Sequence, residues 1–135
     1  MPIPEQRLLS YRDLIVWQKA VALVTAVYDL TATLPADERF GLVAQLRRAA
    51  VSVPANIAEG YGRATRGEYL NQLAVASGPL NEVETLCIVS ERLEMRSPST
   101  IEAVRIQVSE VQRMLARLTQ RLRNRANTAG PGRTR

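Results

Sequence analysis

Apolar residues recur along this chain in steps of three and four, the spacing that places side chains on one face of an α-helix, in four separate stretches. The first stretch predicts a helix over 13–32. Val16, Ala20, Leu23, Val27 and Leu30 repeat in a 4-3-4-3 pattern, and Trp17, Val21, Val24 and Tyr28 lay a second stripe beside it. So wide an apolar face predicts contact with more than one neighbour. Asp13 is the expected N-cap, since its carboxylate can accept from the unpaired amides of a first turn. LPADERFG at 34–41 reads as a short connection. A second helix is predicted over 37–61, with Leu42, Leu46, Ala49, Val53 and Ile57 on its inner face. Pro54 lies inside it, where it removes one backbone hydrogen bond and crowds the preceding turn, so a kink is expected. Gly60 and Gly62 are expected to end this helix by supplying positive φ.

The third helix is predicted over 65–94. Thr65 and Glu68 have the spacing of a capping box, and Tyr69, Leu73, Ala76, Leu80, Val83, Cys87 and Ser90 form its seam. Gly78 and Pro79 interrupt it and predict a bend. The fourth helix is predicted over 98–125, with Pro98 tolerated in the first turn and Ser99 with Glu102 offering a second capping box. Its seam of Ile101, Val104, Val108, Val111, Leu115, Leu118 and Leu122 is the most regular in the chain. The fold class is therefore an all-α four-helix bundle over 13–125. Residues 1–12 read as an N-terminal arm and 126–135 as a disordered basic tail.

At 135 residues the chain has the size of one domain. Apolar residues make up 46% of it and aromatics only 4%, which suits helices packed closely through Ala, Val and Leu. No apolar run approaches the roughly 20 residues a bilayer requires. The start, MPIPEQRLLSYRD, lacks the basic and apolar regions of a signal peptide. A cytoplasmic protein with no membrane partner is expected. Cys87 is the single cysteine, so it forms no intrachain disulfide and no cysteine metal site. With no histidine at all, the commonest general base and metal ligand is missing. EGYGR at 59–63 has neither the lysine nor the hydroxyl of a phosphate-binding loop. The expectation is a protein without catalysis, metal or cofactor.

Charge changes that picture. The chain carries 18 basic and 13 acidic residues, all the bases except Lys19 being arginine, with a pI near 10.1. From Arg96 onward nine arginines face two acids, Glu102 and Glu110, a balance of +7, whereas residues 1–95 carry −2. Such asymmetry points to phosphate-rich partners; a solvated helix face with a basic tail is the alternative. Arg113, Arg117 and Arg121 are spaced by four on the side of the fourth helix away from its seam, and Arg123 and Arg125 extend the surface. With no acid interleaved, they are the primary candidates to bind nucleic-acid backbone, and no motif suggests base readout. Arg47, Arg48, Arg63 and Arg66 are secondary candidates. For Arg47 and Arg48 the alternative is ion pairs with Glu82, Glu84 or Glu91 of a neighbouring subunit.

Pro54, Asn56, Glu59 and Gly60 form a structural motif, ANIAEG following an in-helix proline. A polar side chain buried there without a partner costs roughly 2–7 kcal/mol, so Asn56 and Glu59 are expected to be hydrogen-bonded, orienting the end of helix two or lining the interior of a ring. Glu59 has no second positioned group with which to act as a general acid or base.

The stretches YRDLIVWQKA (11–20), LPADERFGLVAQL (34–46), RRAAVSVPANIAEG (47–60) and EYLNQLAVASGPLNEVETL (68–86) together resemble the four-helix-bundle proteins encoded by intervening sequences in bacterial large-subunit rRNA genes. The third stretch is the most specific, because amphipathicity alone does not demand its paired arginines, in-helix proline and ANIAEG ending. The resemblance covers about residues 11–123 and departs from the family pattern at Pro79. It implies an antiparallel up-down-up-down bundle that assembles with copies of itself as a ring, typically a pentamer, without known enzymatic activity. A related group acts as accessory protein to the reverse transcriptase of diversity-generating retroelements, which makes RNA or DNA and such an enzyme the implied partners. The functional expectation is a homo-oligomer that binds nucleic-acid backbone through a basic surface. The alternative is a structural or protein-interaction scaffold that ignores nucleic acid.

Overall fold

The computed structural model of the chain describes residues 9–128, with side chains from Leu9 to Arg125. Four helices fill it: α1, Ile15–Thr31; α2, Leu42–Tyr61; α3, Arg66–Arg92; and α4, Pro98–Thr128. No strand occurs among the described residues. Each helix packs against the next and α4 closes back on α1, while among the described residues the backbones of the diagonal pairs stay more than 8 Å apart, Cα to Cα. With short connections, successive helices must run antiparallel, so the molecule is the all-α up-down-up-down bundle that the periodicity and the resemblance predict.

The predicted seams form the core. Val16, Ala20, Leu23, Val27 and Leu30 of α1 are buried, as are Leu42, Leu46, Ala49, Val53 and Ile57 of α2. In α3 and α4 every seam position is buried except Tyr69 and Leu122, which are partly exposed. The second stripe of α1 behaves differently. Val21 and Tyr28 remain 37% and 42% exposed, and Trp17 and Val24 are only partly covered.

The helix ends depart from the sequence reading in physically instructive ways. Asp13 does not cap α1. Its Oδ2 accepts from the Leu9 and Ser10 amides at 2.8 and 3.2 Å, closing a capping box around a 3-10 turn at Tyr11–Asp13. α1 then starts after Leu14, without a side-chain cap. α2 begins at Leu42 and not at Asp37, because residues 36–38 tighten into a second 3-10 turn and Gly41, at φ −101° and ψ −107°, breaks the path between them. Thr65 caps α3 by accepting from the Glu68 amide at 3.1 Å, and no return bond from Glu68 accompanies it. Ser99 lies inside α4, so the cap expected from it falls to Ser97, whose carbonyl accepts from the amides of Thr100 and Ile101. α4 continues to Thr128, three residues past its predicted end; residues 1–8 of the arm and 129–135 of the tail lie outside the described residues.

Pro54 and Pro79 do not end their helices, which run through both. The glycine expectation is corrected. Gly62 follows α2 with φ −81°, and Gly60 is a buried helical residue, so positive φ stops nothing here. What Gly60 provides is room, since a Cβ on it would stand 2.8 Å from Gln72 Cβ of α3. Gly78 is the contrast, for nothing lies within 4 Å of where its Cβ would be.

The two glycines therefore predict opposite outcomes. Gly60→Ala forces α2 and α3 apart and lowers stability by about 1–3 kcal/mol. Gly78→Ala gains helix propensity and raises it by about 1 kcal/mol. Thermal unfolding of the two variants checks both signs.

Candidate nucleic-acid interface

In an up-down-up-down bundle the start of α1, the end of α2, the start of α3 and the end of α4 share one pole. That pole collects Arg12, Arg63, Arg66, Arg121, Arg123 and Arg125, with Arg117 one turn away. Three described acids accompany them, and two are engaged. Asp13 caps its turn, and Glu59 Oε1 accepts from Arg63 at 2.6 Å; Glu68 stands in the first turn of α3. The opposite pole carries Asp29, Asp37, Glu38, Glu91, Glu94 and Glu102 against Arg39, Arg92, Arg96 and Arg105. The described bundle thus has a positive end and a mildly negative one, a field that orients an approaching polyanion.

The turn between α2 and α3 is fixed by a polar bridge over Gly60. Gln72 Nε2 donates to Asn56 Oδ1 at 2.7 Å and more weakly to Glu59 Oε2 at 3.4 Å, while Asn56 Nδ2 donates to the Ser52 carbonyl at 2.7 Å. Asn56 is accordingly hydrogen-bonded as predicted, and Glu59 is bonded but exposed. Beneath the turn, Tyr61 and Tyr69 meet edge to face, with centroids 6.1 Å apart and planes at 88°. The Tyr69 hydroxyl is buried without a hydrogen-bond partner among the described residues. Burial pushes its phenol up to about 12; the Tyr61 beside it adds to the rise, and the Arg121 guanidinium opposes it.

The predicted arginines divide by environment. Arg117, Arg121 and Arg123 are exposed on α4 and make no hydrogen bond or ion pair among the described residues; Arg125 is exposed beside them. Arg66, half-buried at the start of α3, is likewise unbonded among them, whereas Arg63 is held by Glu59. Arg47 has partners within the chain. Its Nε donates to Thr31 Oγ1 at 2.8 Å and its guanidinium lies 4.4 Å over the Tyr28 ring, so within the chain it ties α2 to α1. Arg48 is exposed near the middle of α2, away from the basic pole. Arg113 donates to Ser109 Oγ at 2.8 Å and lines a cavity of about 280 Å³ together with Glu84 and Glu102, carboxylates that compete with any incoming phosphate.

Sequence reasoning missed Arg12, Tyr61 and Tyr69 as members of this surface. The signal was present in the topology: once helices alternate in direction, the EGYGR turn and the end of the fourth helix must share one pole.

The family model described as 23S rRNA-intervening sequence protein matches residues 12–117 of this chain. That span includes Arg63 and Arg66 and stops before Arg121. A crystal structure of a protein with unknown function from the S23 ribosomal protein family, from Bacteroides thetaiotaomicron, is similar with a TM-score of 0.73 and 23% identity, covering 78% of this chain and 98% of that one. At that identity the likeness is one of fold. No curated protein matches the chain.

Tyr69 and Cys87, whose thiol burial pushes up to about 11, both hold their protons longer in the folded chain than in the unfolded one. Stability from these groups is full below their ordinary values of 10.0 and 9.0 and falls away as pH climbs toward about 12 and 11. Alkaline titration of tyrosine absorbance is expected to show one late phenol that Tyr69→Phe abolishes. Because that substitution removes an unpartnered buried hydroxyl, it is expected to stabilise the fold by about 1 kcal/mol, read by thermal unfolding at neutral pH.

Proposed function

Because the chain belongs to the 23S rRNA-intervening sequence protein family, we propose that it is a non-enzymatic, self-associating bundle whose basic pole holds nucleic-acid backbone. The observation that carries this reading is the convergence of unbonded arginines from α3 and α4, Arg66 with Arg117, Arg121 and Arg123, at an end where two of three described acids are already occupied. Guanidinium groups free of internal partners are available to phosphate oxygens, singly or in bidentate pairs. Contacts of this kind position a backbone without reading sequence. No reaction is assigned to this pole.

Self-association is supported by the second stripe of α1. Val21 and Tyr28 are left half-exposed, and Val51 of α2 is 44% exposed, so apolar surface remains that a second copy of the chain would cover. In a ring, typically a pentamer in the resembling family, the basic pole is repeated once per subunit and weak phosphate contacts gain avidity. A reverse transcriptase is the protein partner in the retroelement version of this reading, supported by the resemblance and tested by co-purification.

Binding to RNA and DNA oligonucleotides across a salt series tests the function. Affinity is expected to fall steeply with salt. Replacing Arg117, Arg121 and Arg123 together by Gln is expected to flatten the log–log slope by roughly 0.7–0.9 for each phosphate that is no longer neutralised, while Arg39→Gln at the far pole leaves it unchanged. Absence of binding at low salt rejects the reading. For assembly, light scattering is expected to report an oligomer that Val21→Glu with Val51→Glu dissociates into folded monomers; a wild-type monomer contradicts it.

A further inference from the structure

We propose that the apolar flank of α1 and α2 docks on a different face of the next copy, the outer stripe of α3, and that Arg47 pairs there with Glu82 of the partner subunit; this rests on the self-association proposed above and specifies its contact.

Arg47 is oriented within the chain but not saturated. Its Nε donates to Thr31 Oγ1 and its guanidinium lies over the Tyr28 ring, while its two Nη groups make no hydrogen bond or ion pair among the described residues. A guanidinium already held in this way gives up little side-chain freedom when a carboxylate binds it. Around it Val21 and Tyr28, seven residues apart on α1, and Val51, four residues on along α2, leave apolar surface exposed. An apolar flank with one oriented cation suits a surface of the inverse kind, apolar with one acid.

The chain itself carries such a surface. Val75, Glu82, Leu86 and Val89 recur at steps of seven, four and three along α3, one stripe outside its buried seam. Val75 is 48% exposed, Leu86 and Val89 are partly so, and the exposed Glu82 makes no hydrogen bond or ion pair among the described residues. The neighbouring acids face other cations: Glu91 stands 3.8 Å from Arg105, and Glu84 lines a cavity with Arg105 and Arg113. The two charges also stand at one height. Asn56 meets Gln72 across the antiparallel pair; nine residues back along α2 is Arg47, and nine on along α3 is Asn81, next to Glu82. Copies set side by side therefore bring Arg47 level with Glu82 of the partner subunit without an axial shift. Because the two stripes are different surfaces, the contact is head-to-tail and repeats from copy to copy, closing a ring where the rotation permits.

The test is charge exchange in the full chain, read by light scattering over a concentration series, with circular dichroism to confirm that each variant is folded. Glu82→Arg alters an exposed side chain with no bond in the fold and is expected to weaken association by roughly a hundredfold or more, as is Arg47→Glu. Combining the two substitutions is expected to restore the oligomer. Asp29→Arg removes the one acid of α1, which a two-fold contact between like flanks would use, and is expected to leave assembly intact. Should Arg47→Glu fail to fold, Glu82→Arg and Asp29→Arg decide the matter between them. An oligomer that survives Glu82→Arg, a folded double variant that stays dissociated, or dissociation by Asp29→Arg overturns this inference alone. A wild-type chain that is monomeric throughout the series overturns the self-association on which it rests.

Discussion

The approach of α2 to α3 at Gly60 is the constraint from which the basic pole is built. A side chain there would collide with Gln72, and only without one does Gln72 come close enough to bond Asn56 and reach Glu59. Glu59 then holds Arg63, and the turn that follows α2 is set down with Tyr61 against Tyr69 and with Arg66 opening the next helix. The same geometry explains why a polar group survives in a run of alanines: Asn56 is satisfied at both ends, so its partial burial carries no penalty for an orphaned amide.

Much of this was legible in the chain, and the limits have physical causes. Seams were readable because burial repeats with the helical period, and the seam positions predicted for α1 and α2 are all in the core. Boundaries were less so, because short-range competition decides them: Asp13 satisfied a tight turn before the helix could use it, and Gly41 separated the 3-10 turn at residues 36–38 from the helix expected to begin at 37. Gly60 read as a stop signal because glycine's two uses, positive φ and missing bulk, look identical in one dimension. The Arg47 contacts within the chain were hidden because neither Thr31 nor the ring of Tyr28 is close to it in sequence, which left it a secondary phosphate candidate or an ion-pair partner of a neighbouring subunit.

The arginines of α4 illustrate how topology edits a charge count. Read linearly, Arg113, Arg117, Arg121, Arg123 and Arg125 form one stripe. In three dimensions Arg113 shares a cavity with Glu84 and Glu102, while the later members join Arg63 and Arg66 from the other side of the bundle. Charge among the described residues is thus divided along the bundle axis, with arginines gathered at one pole and acids toward the other. A polarised bundle of this kind is what the proposed function requires, one end for a polyanion and an apolar flank for a second copy.

Backbone amide NMR of the full chain during titration with a short single-stranded oligonucleotide at low salt tests the central claim most directly. The account predicts shift changes concentrated in residues 61–69 and 117–125, reversed by added salt. Changes concentrated in residues 36–41 and 92–100, or none at saturating oligonucleotide, would contradict it.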